Sequence, residues 1–272
     1  MDAFEVFPDT HNLIPLNQIG YKKKTRTVDH ILTLKHIIDK HIFRLPRKYL
    51  FVCFVDFKSA FDTVWRKALM YKLLNYGIAG NFLSVLRSIY EDVSYCVKLN
   101  GGLTPNITSN VGVKQGCVLS PTLFNLYLAD LPAVFDEHCD PIDNFDAKLN
   151  CLMFADDIVL ISQTAEGLQC CIDRLHAYSN KWQLTLNTKK TQVVIFNKGG
   201  HIVKKHKFNY GGDNLEITQS YCYLGIIFSA CGTFNAARQN MLSKSLKAFY
   251  RLRQLDTRDN VNLTLKLFDT LI

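Results

Sequence analysis

Residues 49–55 read YLFVCFV, an unbroken run of aromatic, β-branched and sulfur-bearing side chains. A strand with one face in water alternates apolar and polar residues, so this run predicts a strand covered on both faces. The fold therefore needs packed layers on either side of that strand. Asp56 ends the run abruptly. A carboxylate set against such a strand costs several kcal/mol unless something positive neutralises it.

The rest of the chain supplies the layers. Ile31, Leu34, Ile37 and Ile38 recur at helical spacing, and Pro46 ends that stretch. Helices are predicted over about 62–76, with Asp62 as N-cap and Gly77 as C-terminal stop, and over about 81–90. A hairpin follows over 93–99 and 107–111 around Gly101 and Gly102, and 123–134 is helical in pattern. Strands at 148–154 and 158–162 flank a tight turn at Ala155, Asp156 and Asp157. Beyond it, Leu168, Ile172, Leu175, Tyr178 and Trp182 mark one face of an amphipathic helix. Short strands are expected at 191–196, 202–208 and 222–228, then two helices. The chain stops inside the apolar stretch LKLFDTLI, which reads as a truncated end. This order predicts an α+β fold with helices backing an antiparallel sheet.

Asp156 and Asp157 lie between two apolar arms, LNCLMF and IVLIS, and so share the problem of Asp56. A divalent cation would neutralise all three, and an oxygen-only donor set favours magnesium or manganese. Two such ions about 3.5–4 Å apart serve an in-line phosphoryl displacement. Each feature also has a plain use: paired Asp residues make solvated turns, and an Asp after a strand caps a helix. Asp62 is the better cap, which leaves Asp56 without that use.

With 32 Lys and Arg against 24 Asp and Glu, the formal charge is +8, a sign that suits a polyanion while speaking weakly by itself. The hydrophobic share of 48% excludes a disordered chain. The nine cysteines are scattered and lack C-x-x-C spacing, and Cys170 and Cys171 are adjacent, which fits neither a zinc knuckle nor a disulfide framework. They point to a reducing compartment, cytoplasm or nucleus. No apolar run approaches the roughly 20 residues of a membrane span, and residues 1–15 lack a signal-peptide pattern.

Several segments, in order, carry a resemblance. FVDFKSAFDTV resembles motif A of the reverse transcriptases of non-LTR retrotransposons, GVKQGCVLSPTLFNLYLADL their motif B, and FADD their motif C. LNTKKTQVVIF is similar to motif D, YLGIIFS to the segment near the primer grip, and NQIGYKKKTRTVDHI to a fingers motif. The resemblance implies a right-hand polymerase: partial fingers over 17–48, a palm over 49–230 with a fingers insertion at about 78–114, and the start of a thumb over 231–272. Residues 1–16 are then a poorly ordered remnant.

The implied function is RNA-directed DNA polymerisation on an RNA template and DNA primer, using deoxynucleoside triphosphates and two Mg2+ ions, with Mn2+ as a substitute. Asp56, Asp156 and Asp157 would hold the ions with help from the Phe57 carbonyl. Phe61 falls where the family blocks a 2′-hydroxyl; by itself it would read as core packing. Gln115 and Gly116 would approach the nascent base pair, ahead of Ser120 and Pro121 at a helix start. Lys190 would sit near the pyrophosphate or simply end a loop in solvent. Lys22, Lys23, Lys24 and Arg26 would meet template phosphates.

Two departures stand out. The family usually has glycine where Lys24 stands, and nothing before residue 17 matches the earlier fingers segment that clamps the triphosphate. Nor is there a match to a full thumb or endonuclease. The alternative is therefore a catalytically silent nucleic-acid-binding fragment or a retrotransposon relic. Oligomeric state is left open.

Overall fold

The computed structural model describes residues 13–44, 49–99, 101–144, 147–203, 205–254 and 266. Helix α1 (Thr27–Asp39) runs through a π-helical turn (Lys40–Arg44) toward β1 (Leu50–Val55). Helices α2 (Arg66–Asn75) and α3 (Gly80–Tyr90) precede four two-residue strands, β2 (Ser94–Tyr95), β3 (Lys98–Leu99), β4 (Gly102–Leu103) and β5 (Ile107–Thr108). Helix α4 (Ser120–Tyr127) and two 3-10 turns (Leu131–Val134 and Glu137–Cys139) lead to a ribbon of β6 (Ile142–Asn144) and β7 (Ala147–Leu149). Then come β8 (Cys151–Phe154), β9 (Asp157–Ser162), α5 (Ala165–Trp182) and β10 (Gln192–Phe196). The end is formed by β11 (Phe208–Tyr210), β12 (Asp213–Ile217), β13 (Ser220–Tyr223), β14 (Ile226–Ser229) and α6 (Asn235–Gln254).

Six strands make the main sheet in the order β11-β12-β10-β1-β9-β8. Strand β1 is interior and antiparallel to both neighbours, with Phe51 opposite Ser162 on β9 and Leu50 opposite Phe196 on β10. Its alternate residues serve opposite layers. Phe51, Cys53 and Val55 pack with Leu69, Phe124, Leu168 and Ile172 from α2, α4 and α5. Leu50, Val52 and Phe54 pack with Leu34, Ile37 and Ile38 of α1 and with Tyr223 and Phe228 of the β13–β14 hairpin. All six residues of β1 are buried, so the two-faced strand expected from its composition is realised. The anticipated face of α5 is likewise buried at Leu168, Ile172, Leu175, Tyr178 and Trp182.

Several boundaries differ from expectation. Helix α2 begins at Arg66 rather than near 62, because residues 59–63 close turns in which the N–H groups of Asp62 and Thr63 donate to the Ser59 carbonyl. Asp62 caps nothing there. The far end behaves as expected: Gly77, at φ +80, and Ile78 donate to Leu74 and Leu73, the paired bonds of a Schellman ending. The helix expected over 123–134 is divided, since Pro132 has no N–H to continue the ladder beyond α4. No strand spans the described part of 202–208; Ile202 is exposed and β11 starts only at Phe208. Residues 222–228 form a hairpin instead of one strand, because Leu224 at φ +46 and Gly225 at φ +84 turn the chain back on itself. Among the short strands after α3, Leu99 pairs with Gly102, which places Gly102 in a strand and not in the turn.

At the start of the described chain, Ile14 is already part of the core. The second of the two C-terminal helices expected from the sequence falls mainly outside the described residues, beyond α6. No helix among the described residues is long and apolar enough to cross a membrane.

Candidate active site

The site grows out of the β1–β9 register. Val55 faces Ile158 across the two strands, so the next step along each chain sets Asp56 beside Asp157. Facing residues of an antiparallel pair have Cβ atoms roughly 5 Å apart. On the other side Phe154 pairs with Asp157, which leaves Ala155 and Asp156 as a two-residue hairpin loop. Three carboxylates thus meet at one end of three neighbouring strands. Phe57 follows Asp56 and is buried, bridged to Leu186.

Their backbone is held firmly. The Asp56 N–H donates to Thr191 Oγ1 at 3.1 Å, and the Asp56 carbonyl accepts from the Asn187 N–H at 2.7 Å. Thr191 is fully buried. The loop between these two contacts carries Lys190, whose side chain is exposed and whose N–H donates to the Asn187 carbonyl. Lys190 therefore sits on the turn that brackets Asp56.

The charges oppose one another. Burial first, then the charges of Asp156 and Asp56, push the Asp157 carboxyl up to about 6. Burial and the Asp56 charge also raise the Asp156 carboxyl, while its own backbone N–H pulls the other way. No ion pair among the described residues involves any of the three. An oxygen-only set of mutually repelling carboxylates fits a hard divalent cation and suits a soft one poorly.

The remaining expected site residues fall around this cluster. Phe61 is half-buried and stacks on Phe124 of α4, with ring centroids 4.5 Å apart. The segment 111–113 runs back along 61–65 through bonds from Gly112 N–H to the Val64 carbonyl and from Val113 N–H to the Phe61 carbonyl. Gln115 is exposed and its amide donates to Asp62 at 2.8 Å, so Asp62 serves that loop rather than a helix end. Gly116 takes φ +79 with open space around it. Ser120 starts α4, with Pro121 behind it in the first turn, and its hydroxyl donates to the Lys114 carbonyl. Lys22, Lys23, Lys24 and Arg26 occupy the loop before α1, where Lys23, Lys24 and Arg26 are exposed. Lys24 takes φ +64, a left-handed backbone that glycine adopts freely and other residues adopt at a cost of about 1 kcal/mol. That backbone suits the glycine that the resemblance leads one to expect there.

Gln18 was not singled out from the sequence, yet it is fully buried against the turn of Ala155 and Asp156. Its Oε1 accepts from the N–H groups of Gly20 and Ala155 at 2.9 and 2.8 Å, and its Nε2 donates to the Ala155 carbonyl at 3.1 Å. Thr191 and Asn125, whose amide donates to the Gly20 carbonyl, were missed too. The available signal was the polar stretch NQIG directly ahead of the basic cluster.

A second group of ligand atoms lies behind the sheet. Cys139 and Cys170 approach to 3.4 Å between sulfurs, beside Asp136. The Asp136 carboxylate is already engaged by Arg174 and by the His138 N–H. The thiols hydrogen-bond to each other, a proximity that the scattered spacing in the sequence had hidden.

The family model for reverse transcriptase (RNA-dependent DNA polymerase) matches residues 4–228. The chain belongs to that family. It is 27% identical over 252 residues to a probable RNA-directed DNA polymerase from transposon BS of Drosophila melanogaster, a match covering 89% of this chain and 26% of the relative. It is 26% identical to the RNA-directed DNA polymerase from mobile element jockey of Drosophila funebris, over 81% of this chain and 24% of the relative. With the Pol polyprotein from type-1 retrotransposable element R2 of Popillia japonica it shares 28% identity, over 79% of this chain and 36% of the relative. The chain thus spans about a quarter to a third of the curated relatives it matches.

Among solved structures, it is similar to telomerase from Candida tropicalis in complex with the TWJ fragment of telomeric RNA. The TM-score is 0.58 at 13% identity, over 99% of this chain and 44% of that one. The apo telomerase of the same species, truncated from its C-terminal domain, gives 0.57 at 16%, over 86% and 43%. These likenesses establish the right-hand polymerase fold. Its homologues are non-LTR retrotransposon polymerases, and the family as a whole uses divalent metal ions.

Proposed function

We propose that this chain carries out template-directed deoxynucleotidyl transfer at Asp56, Asp156 and Asp157, attaching a deoxynucleotide to a primer 3′-hydroxyl and releasing pyrophosphate. The convergence of these three carboxylates where β1, β8 and β9 meet carries the reading. Asp56, Asp156 and Asp157 would hold two Mg2+ ions, with the Phe57 carbonyl as a further oxygen donor. When bound, the ions lower the cost of ionising the attacking hydroxyl and neutralise charge on the leaving oxygens.

The chain's other residues bind and orient. Phe61, braced by its stack on Phe124, offers a rigid ring beneath the sugar, where a 2′-hydroxyl meets steric resistance. Gln115 and Gly116 face the nascent pair from an open loop, and the turn of Ser120 and Pro121 supports that loop through the Lys114 carbonyl. Lys190 is positioned to hand a proton toward the pyrophosphate from the turn that brackets Asp56. Lys22, Lys23, Lys24 and Arg26 grip template phosphates without reading sequence.

Primer extension on an RNA template with Mg2+, comparing the chain with Asp156→Ala, tests this reading. Extension lost in the variant is expected. An unmodified chain that binds primer–template in a salt-dependent way yet extends nothing would leave the silent nucleic-acid-binding fragment in its place.

A further inference from the structure

The loop that bears Asp156 starts from a weak position. Strand β8 is the edge of the six-stranded sheet, so the hairpin it forms with β9 is flanked by main-sheet strands on one side only. Its loop begins with Ala155 at φ +53, a backbone that favours glycine at the first position of a two-residue loop. Neither feature holds Asp156 in a fixed direction.

Residues 17–20 supply what is missing. The Asn17 carbonyl accepts from the Met153 N–H at 2.8 Å, and the Ile19 N–H donates to the Met153 carbonyl at 3.0 Å, so this stretch covers the free edge of β8. Asn17 adds a side-chain bond to the Cys151 carbonyl at 2.8 Å. The Gln18 carboxamide then takes both backbone polar groups of Ala155, and it has no exposure through which water could substitute. The fit is tight enough to require glycine at position 20, where a Cβ would lie 2.3 Å from the Ala155 nitrogen. Asn125 of α4 closes the arrangement from behind through the Gly20 carbonyl.

We infer that Gln18 is a positioning residue for the metal-binding turn: its carboxamide fixes Ala155 and so aims Asp156, and it ties that turn to the basic loop at Lys22–Arg26. The inference rests on reading Asp156 as a metal ligand. Gln18 touches no reacting atom. It stands to Asp156 as the partners behind metal ligands stand to those ligands, and losing such a partner costs about 10–100-fold in metal affinity. The polypeptide passes from Gln18 to Lys22 in four steps, so movement of the template-side loop reaches the metal turn through this one amide.

The test is Mn2+ binding by the whole chain, read from loss of the free-ion electron paramagnetic resonance signal, which requires no turnover. Asp156→Ala defines the site, and Gln18→Met keeps the size of the side chain while removing all three bonds. Weakening of Mn2+ binding by about tenfold or more in Gln18→Met, with primer–template affinity within about twofold of the unmodified chain, is the expected result. Gln18→Asn, which keeps the amide one methylene short, serves if the Met variant does not fold, and the same weakening is expected. Unchanged Mn2+ binding in a folded Gln18 variant, while Asp156→Ala abolishes it, would overturn the positioning role and leave the metal reading standing. An unmodified chain that binds no Mn2+ would overturn the metal reading and the positioning role with it.

Discussion

Two regions of this molecule gather charge, and they do so in opposite ways. Lys72 of α2 is almost fully buried, but its ammonium donates to the Tyr127 carbonyl, to Asp130 and to the Tyr178 hydroxyl at 2.6–2.8 Å. It also lies 3.9 Å from the centroid of the Trp182 ring. Every donor has a partner, which offsets part of the cost of desolvation within the fold. The carboxylates of Asp56, Asp156 and Asp157 have one another as neighbours, and each charge makes the next less favourable. A satisfied charge is part of the architecture; an array of like charges is a demand for something from outside. The contrast separates a charge with partners from charges without them, and it does so without reference to any relative.

The largest effect should come from Asp157→Asn. Under the proposed function, primer extension is expected to fall more than about a hundredfold, since a metal ligand matters at least as much as the partners behind it. The metal-free chain should melt a few degrees higher near neutral pH, because one of three repelling charges is gone. A calorimetric scan reads the second result, and a lower melting temperature would break the comparison. Lys72→Met should do the reverse. It takes the ammonium away from Asp130, which keeps the Tyr178 hydroxyl as a donor, and should cost about 3 kcal/mol in denaturant unfolding, the low end for a broken buried pair because Asp130 reaches water. Extension per folded molecule should be unchanged.

The pH responses sharpen the contrast. The Asp157 carboxyl is raised from 3.8 to about 6, so its ionised form burdens the metal-free fold above that range, and the burden lifts as pH falls from about 6 to about 4. A proton and a cation compete for the same oxygens, so the half-saturating Mg2+ concentration should climb as pH drops below about 6. Burial pulls the Lys72 ammonium down to about 8 against the attraction of Asp130. Its charge burdens the fold below about 8, and the burden lifts as pH rises toward its ordinary value of 10.5. Metal titrations and thermal melts across pH should show these opposite slopes. The smallest effect belongs to Lys24→Gly. Relief of the left-handed backbone should add up to about 1 kcal/mol of stability. If Lys24 meets a phosphate, the salt dependence of template binding should soften by about one phosphate's worth.

The sheet centre was legible because β1 has no polar residue to misplace, and the acids were legible because apolar strands abut them. Local pattern failed where distant contacts decide. Asp62 has every local mark of a helix cap, and only the return of Gln115 from more than fifty positions away gives its carboxylate another use. The apolar residues of 222–228 hid a reversal at Leu224 and Gly225, although a Leu-Gly pair could have signalled it. Gln18 was invisible in a stronger sense. Nothing in NQIG says which of its two amide side chains will meet a loop at Ala155, because that partner exists only after the sheet has formed.

The pairing of β1 with β9 and β10 also dictates when the site can exist during synthesis. Both partners lie roughly a hundred residues or more downstream, a separation that makes loop closure costly and folding slow. A nascent chain that has emerged only as far as Asp157 already contains all three acids but lacks both neighbours of the strand that leads into Asp56. Activity should therefore appear on the ribosome as a late, abrupt event, once residues through Phe196 are free to close the sheet.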